Sequence, residues 1–166
     1  ALMKDGVVVQ IGTPEEILTN PANAYVERFV EDVDLSKVLT ASHVMIRAET
    51  ITLDRGPRVA LQLMRDRGIS NIYVVDKARQ LIGVVTAEDA AAAIKSGQTV
   101  EQILIRDTPT VSPDVLLGEL FDVVSSAKIP VAVIDNRQRL VGIIIRGAVL
   151  AALTGNSGEE VGEPPR

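Results

Sequence analysis

The chain contains an internal duplication. Residues 72–85 and 131–144 match each other at an offset of 59 residues, which aligns Asp76 with Asp135. A duplicated unit that is too small to bury its own apolar face normally packs against its copy. We therefore expect two similar units that share a core, with a cleft between them in which a small ligand fits.

The composition limits both the core and the partners. Of the 166 residues, 46% are hydrophobic but only 2% are aromatic, so we expect a core of Val, Ile, Leu and Ala. The net charge of −5 repels phosphate backbones, and two Phe with two Tyr cannot build a base-stacking platform. Nucleic acid is therefore not an expected partner. The chain has no cysteine, so thiolate metal sites and thiol nucleophiles are excluded.

Each unit is predicted to have the order βαββα, because short apolar runs alternate with stretches of helical periodicity. In the first unit we predict strands at 50–53, 71–75 and 81–85, and helices at 57–67 and 87–94. In the second we predict strands at 110–112, 131–134 and 140–145, and helices from 113 to about 124 and at 147–153. Ser112 would cap the first helix of the second unit, with Pro113 at its first position.

The ends of the chain differ from the duplicated part. Residues 1–34 predict a turn at 4–6, a strand, a short helix after Thr13, and a second helix over 22–32. The second helix has an apolar face that this segment cannot cover, so upstream protein or another chain must cover it. Residues 155–166 are rich in Gly, Glu and Pro and predict a disordered acidic tail. The predicted division is 1–34, 35–97, 98–154 and 155–166.

The repeated strand, turn, strand, Gly and helix pattern at 74–89 and 133–148 resembles the cystathionine-β-synthase (CBS) domain. The resemblance implies an α+β fold in which two βαββα repeats pack as a pseudo-two-fold pair. CBS pairs are generally regulatory sensors of adenosine nucleotides or related ligands, and they often form homodimers. An adenine nucleotide or cyclic di-AMP is therefore the implied ligand.

Residues 3–26 are similar to the end of the ATP-binding domain of an ABC importer. Together with the CBS pair that follows, this resembles the ATP-binding subunits of glycine betaine/proline (osmoprotectant) transporters. The resemblance implies an upstream ATPase domain, a membrane-subunit partner, and a cytoplasmic position at the inner face of the membrane. In such a transporter the acidic tail could respond to salt through screening. A solvated terminus without a role is the alternative.

Thr86 and Asp89 are the candidate ligand-binding residues. In CBS pairs the corresponding Thr and Asp, where a strand meets a helix, contact the ribose or phosphate of the nucleotide. A carboxylate accepts hydrogen bonds from both ribose hydroxyls, and free helix N–H groups favour an anion. The alternative is a helix cap, in which Thr86 caps the helix and Asp89 reaches back.

The second unit departs from this pattern, because Ile145 and Ala148 stand where the first has Thr86 and Asp89. We therefore expect at most one conventional nucleotide site per chain. Arg146 would bring a positive charge to that second position, or would simply be solvated.

The sequence predicts no catalytic residue and no metal site. It contains no phosphate-binding P-loop motif and no nucleophile motif, and its one histidine, His43, has no partner that would suggest zinc. We therefore expect a non-catalytic regulatory module. The alternatives are a structural dimerisation module that binds no ligand and, less in keeping with the sequence, a stand-alone enzyme.

Overall fold

The N-terminal segment forms a hairpin and two short helices. The computed structural model describes residues 1–153, so the tail predicted at 155–166 lies outside the described residues. Strands β1 (Leu2–Lys4) and β2 (Val7–Gln10) are antiparallel, and helices α1 (Pro14–Thr19) and α2 (Ala24–Val30) follow. Helix α2 is shorter than the predicted 22–32, because the Asn23 side chain accepts hydrogen bonds from the N–H groups of Tyr25 and Val26 and so begins the helix at Ala24.

The duplicated part contains the two predicted βαββα repeats. Repeat 1 comprises β3 (Thr50–Ile51), α4 (Pro57–Arg67), β4 (Asn71–Val75), β5 (Leu81–Thr86) and α5 (Ala87–Ser96). Repeat 2 comprises β6 (Thr110–Val111), α6 (Leu117–Ser126), β7 (Val131–Ile134), β8 (Leu140–Ile144) and α7 (Arg146–Leu153). Each repeat has one three-stranded sheet, whose first two strands are parallel and whose last two are antiparallel. The helix predicted at 87–94 thus extends to Ser96.

The predicted start of α6 at Pro113 is wrong. Helix α6 begins at Leu117, and the residues before it bond to an earlier part of the chain. Val115 O accepts from the Ala41 N–H at 2.8 Å, and the Leu117 N–H donates to Leu39 O at 2.8 Å. These bonds hold residues 115 and 116 extended, so the helix cannot begin at the Ser112–Pro113 signal.

The segment before each repeat packs into the core of the other repeat. Leu39, Ala41 and Val44, which precede repeat 1 and include helix α3 (Ala41–Val44), lie in the core of repeat 2. Val100, which precedes repeat 2, lies in the core of repeat 1. Backbone bonds of 2.9 Å in both directions join Ile46 to Ile143 and Val84 to Ile105. The two bridges are again 59 residues apart, so the exchange follows the pseudo-two-fold relationship.

A third cluster of buried residues joins the two sheets; its members are Ala48, Tyr73, Val75, Val84, Ala132 and Leu140. At one end of this interface the two strand-connecting turns bond to each other. The Leu81 N–H donates to Gln138 O at 3.1 Å, and the Leu140 N–H donates to Arg79 O at 2.9 Å. We call residues 79–81 and 138–140 the turn clasp. Tyr73 is 1% exposed, so the prediction of a core made only of Val, Ile, Leu and Ala is wrong at this position.

Candidate functional site

Thr86 and Asp89 lie where β5 meets α5, and they contact each other. Thr86 is the N-cap residue of α5, and its Oγ1 accepts a hydrogen bond from the Asp89 N–H at 3.0 Å. The same hydroxyl donates to Asp89 Oδ2 at 2.6 Å. Asp89 therefore bonds to the side chain of Thr86 and favours the positive end of the helix. The structure brings the two predicted residues together and gives both of them a role in the helix cap.

The Asp89 carboxylate still has a free acceptor atom. Both side chains are partly buried, and within residues 1–153 Asp89 Oδ1 accepts no hydrogen bond. The cap therefore does not exclude a ligand, because a carboxylate oxygen has two acceptor positions. We call residues 86–89 the Thr86 corner.

The equivalent position in repeat 2 has a different chemistry. Ile145 is 41% exposed and offers no hydrogen bond to a ligand from its side chain, and Arg146 follows it. The Arg146 guanidinium donates from Nε to Val124 O at 3.1 Å, and from Nη2 to Ser125 O at 2.7 Å and Ala127 O at 2.8 Å. It therefore caps the carbonyl groups at the C-terminal end of α6. A solvated Arg146, one of the two expectations, is thus not observed.

A cavity of about 350 Å³ lies between the repeats, beside Arg146. We call it the inter-repeat cleft. Ser70 and Asn71 of repeat 1 form one wall, and Ile129 and Pro130 of repeat 2 form another; Lys128, Ile145 and Arg146 also line it. Its lining contains two cationic side chains and no carboxylate, although the whole chain has a net charge of −5. The cleft therefore favours an anionic ligand.

The sheet of repeat 1 links the Thr86 corner to this cleft. Asn71, which lines the cleft, pairs with Thr86 in the β4–β5 ladder. The Ala87 N–H donates to Ser70 O at 2.8 Å. The backbone that carries the two polar residues is thus bonded directly to the backbone that forms a wall of the cleft.

Two further cavities lie at the outer ends of the sheets and are related by the 59-residue offset. One, of about 530 Å³, lies beside Asp54 and Asp76, and the other, of about 490 Å³, lies beside Asp114 and Asp135. The side chain of Arg139 bonds to Asp135 and, with backbone N–H groups, holds the pKa of that carboxyl below its usual value. Both cavities are therefore acidic, and neither Thr86 nor Asp89 lines them.

A small groove of about 170 Å³ lies on the surface between α6 and α7. Phe121 and Val124 of α6 and Val149 of α7 line it, and Phe121 is 45% exposed. Within residues 1–153, no helix is long and apolar enough to cross a membrane. Among the same residues, no three His, Cys, Asp or Glu side chains are grouped so as to hold a metal ion.

Sequence reasoning missed the residues that form the walls of the cleft. Ser70 and Asn71 lie in a polar connection that looks like an ordinary loop before a strand, and no motif distinguishes them. The two extra residues near Lys128 were visible in the sequence and mark the segment that Arg146 caps. The offset itself was the available signal, because 70–71 and 129–130 are equivalent positions of the two repeats.

Comparisons with known proteins agree with this architecture. The family model of the CBS domain matches residues 41–96 and 100–155. The glycine betaine transport ATP-binding protein OpuAA of Bacillus subtilis is 60% identical to this chain over 156 residues, which are 94% of this chain and 37% of that protein. The chain thus spans about two-fifths of the length of this relative and matches its C-terminal part.

Solved structures show the same fold. Staphylococcus aureus OpuCA has a TM-score of 0.63 and 28% identity, covering 68% of this chain and 97% of that chain. The crystal structure of CBSX2 of Arabidopsis thaliana in complex with AMP has a TM-score of 0.63 at 21% identity, covering 72% and 98%, which is a likeness of fold alone. With both repeats matched by the family model and the pseudo-two-fold pair present, the chain belongs to the CBS-domain family.

Proposed function

We propose that this chain is a non-catalytic regulatory module of an osmoprotectant ABC importer, belonging to an ATP-binding subunit. The observation that carries the proposal is the bonding of the Thr86 corner to a cationic cleft between two CBS repeats. The similarity to a glycine betaine transport ATP-binding protein supports the type of transporter. The ligand class that this site favours is an adenine nucleotide or cyclic di-AMP, and the attached ATPase would lie upstream.

The chemistry of the site suits such a ligand. Asp89 Oδ1 would accept hydrogen bonds from ribose hydroxyls, while Lys128 at the cleft would attract phosphate oxygens. Ile129, Pro130 and Ile145 offer apolar contact to a base. Arg146 would contribute its charge to the cleft, although its Nε and Nη2 bonds are already made to α6.

Regulation would follow from a difference in affinity. A ligand or a change of salt shifts an equilibrium only if it interacts differently with the two states. We propose that occupation of the cleft changes how the module sits against the ATPase. Because two cations line the cleft, its affinity for an anionic ligand would fall as ionic strength rises.

The N-terminal segment supports attachment to a larger protein. Several of its apolar side chains are exposed, among them Val7 at 65%, Ile11 at 78% and Phe29 at 61%. An exposed apolar surface of this kind marks a contact with other protein. We propose that residues 1–34 belong to the ATPase domain, and that the intact subunit lies in the cytoplasm against its membrane subunit.

Titration of the chain with ATP, AMP and cyclic di-AMP by calorimetry tests the ligand. We expect saturable heat from at least one of them, with a weaker affinity in Asp89→Asn. Asp114→Asn is the matched control, because Asp114 lines an outer cavity, and its affinity should equal that of the original chain. Absence of heat from all three compounds would refute nucleotide sensing.

The second candidate is a structural dimerisation module without a ligand. The groove between α6 and α7 favours it, because Phe121 is 45% exposed beside Val149 and large exposed apolar side chains mark contact surfaces. A second copy of the chain would cover this groove. Sedimentation should then give a dimer that Phe121→Glu converts into a monomer, with a melting temperature that nucleotides do not change.

A further inference from the structure

Tyr73 bridges the two repeats beside the inter-repeat cleft. Its hydroxyl donates to the carbonyl oxygen of Pro130 at 2.5 Å. Pro130 is part of one wall of the cleft, and Asn71, two residues before Tyr73 on the same strand, is part of the opposite wall. Residues two apart on a strand point to the same face of the sheet. One hydrogen bond therefore fixes the wall of repeat 2 relative to the strand that carries the wall of repeat 1.

The cleft and the turn clasp lie at opposite ends of the interface. Strands β4 and β7 both begin at the cleft, after residues 70 and 130, and both run towards the clasp. At the clasp the repeats are joined by two backbone hydrogen bonds, and the Gln80 side chain donates to Arg137 O at 3.0 Å. The Tyr73–Pro130 bond lies nearer to the cleft.

The interface is asymmetric at this point. The position equivalent to Tyr73 in repeat 2 is Ala132, and both residues belong to the cluster that joins the sheets. A large side chain from one repeat thus packs where the other contributes a small one. Tyr73 is 1% exposed, and burial raises the pKa of its phenol, so the hydroxyl stays protonated and remains a donor.

We infer that Tyr73 is a positioning residue which sets the width of the inter-repeat cleft by holding Pro130 through its hydroxyl. Without this donor, the Pro130 carbonyl loses its partner and the cleft end of the interface loosens. The clasp end keeps its backbone bonds and stays closed. The consequence for nucleotide affinity rests on the proposed function, whereas the width of the cleft does not depend on any ligand.

The substitution Tyr73→Phe removes the hydroxyl and keeps the ring. Since the chain has no cysteine, spin labels can be attached at introduced cysteines without background labelling. One labelled pair, Ser70→Cys with Lys128→Cys, spans the cleft, and a second pair, Lys77→Cys with Asn136→Cys, lies at the turns beside the clasp. We expect Tyr73→Phe to broaden and lengthen the distance distribution across the cleft, while the distribution of the second pair stays the same.

Tyr25→Phe is the matched control, because Tyr25 lies on α2 and is the other tyrosine of the chain. It should leave both distributions unchanged. Unchanged distances across the cleft in Tyr73→Phe, or equal broadening at both ends, would overturn the inference. If the original chain binds ATP, its affinity should fall on the order of tenfold in Tyr73→Phe, as expected for a lost hydrogen bond with an unpaired buried acceptor. If the original chain gives no heat with nucleotides, the proposed function fails while the label distances still test Tyr73.

Discussion

Gly83 of repeat 1 lies directly against the carbonyl oxygen of Ile105, so closely that an added Cβ atom would be 2.5 Å from that oxygen. The contact exists because the segment before repeat 2 crosses β5, where Val84 and Ile105 exchange two backbone bonds. Gly142 is the equivalent residue of repeat 2, and its added Cβ would meet Met45 Sδ at 2.8 Å and Ile46 O at 3.1 Å. Both glycines permit the crossing, but different atoms lie over them.

This difference predicts unequal effects of alanine at the two positions. Gly83→Ala must push a backbone that is held by hydrogen bonds, so we expect a loss near the upper end of the range of about 1–3 kcal/mol for overpacking. Gly142→Ala meets mainly the flexible end of Met45, so its loss should lie near the lower end of about 1–3 kcal/mol. Urea denaturation of both variants measures the free energies of unfolding. Equal losses would contradict the interpretation that the backbone contact is the cause.

Thr86 offers a way to separate capping from ligand binding. Thr86→Ala removes the N-cap acceptor of α5, and we expect it to lower the free energy of unfolding by about 1 kcal/mol. Asn is also a good N-cap, so Thr86→Asn should stay within about 0.5 kcal/mol of the original chain. Both variants should bind nucleotide more weakly if the hydroxyl contacts the ligand. Unchanged affinity in Thr86→Asn would show that Thr86 acts only as a cap.

Much of the architecture could be predicted, because the duplication is a strong local signal. Matching runs of apolar residues fixed the order of strands and helices in both repeats, and Thr13, Asn20 and Thr86 marked helix ends by ordinary capping chemistry. The Thr86–Asp89 pair could be selected because the two residues are only three apart. Contacts between neighbours in sequence need no knowledge of the tertiary structure.

What could not be predicted depends on contacts between distant residues. The start of α6 moved to Leu117 because Leu39 and Ala41 bond to this segment from about 75 residues away in the chain. The capping of α6 by Arg146 and the bond from Tyr73 to Pro130 have the same origin. Local propensity carries no information on such pairs, and tertiary bonds overrode it at Ser112 and Pro113.

Asp135 predicts a dependence of stability on pH. Its carboxyl accepts two N–H groups and the Arg139 side chain, and these bonds lower its pKa in the folded state. A carboxyl with a lowered folded pKa contributes stability above its unfolded pKa of about 3.9. That contribution disappears as the pH falls through the folded value.

The comparison uses Asp135→Asn, which keeps an acceptor oxygen but cannot ionise. We expect the original chain to be the more stable at pH 7, and the difference to shrink below about pH 4. Arg139→Gln, which places in repeat 2 the residue found at Gln80 of repeat 1, should reduce this pH dependence. A difference that stays constant between pH 7 and pH 2.5, measured by denaturant titration at each pH, would contradict the assignment.

The exchange of segments between the repeats predicts that a substitution before one repeat disturbs the other. Leu39 is 1% exposed in the core of repeat 2, although it precedes repeat 1 in the chain. We expect Leu39→Ala to cost about 2–5 kcal/mol, the range for a buried leucine. Its amide chemical-shift changes should concentrate in α6, β7 and α7, which lie around the vacated space.

Val100→Ala is the matched variant, because Val100 is 1% exposed in the core of repeat 1 and precedes repeat 2. Its shift changes should concentrate in α4, β4 and α5, so the two variants should give complementary maps on the folded chain. Maps in which each substitution disturbs mainly the repeat that follows it in sequence would contradict the exchange. The complementary result would instead mean that neither repeat completes its core from its own residues, so that a force applied to the N-terminal segment acts first on repeat 2.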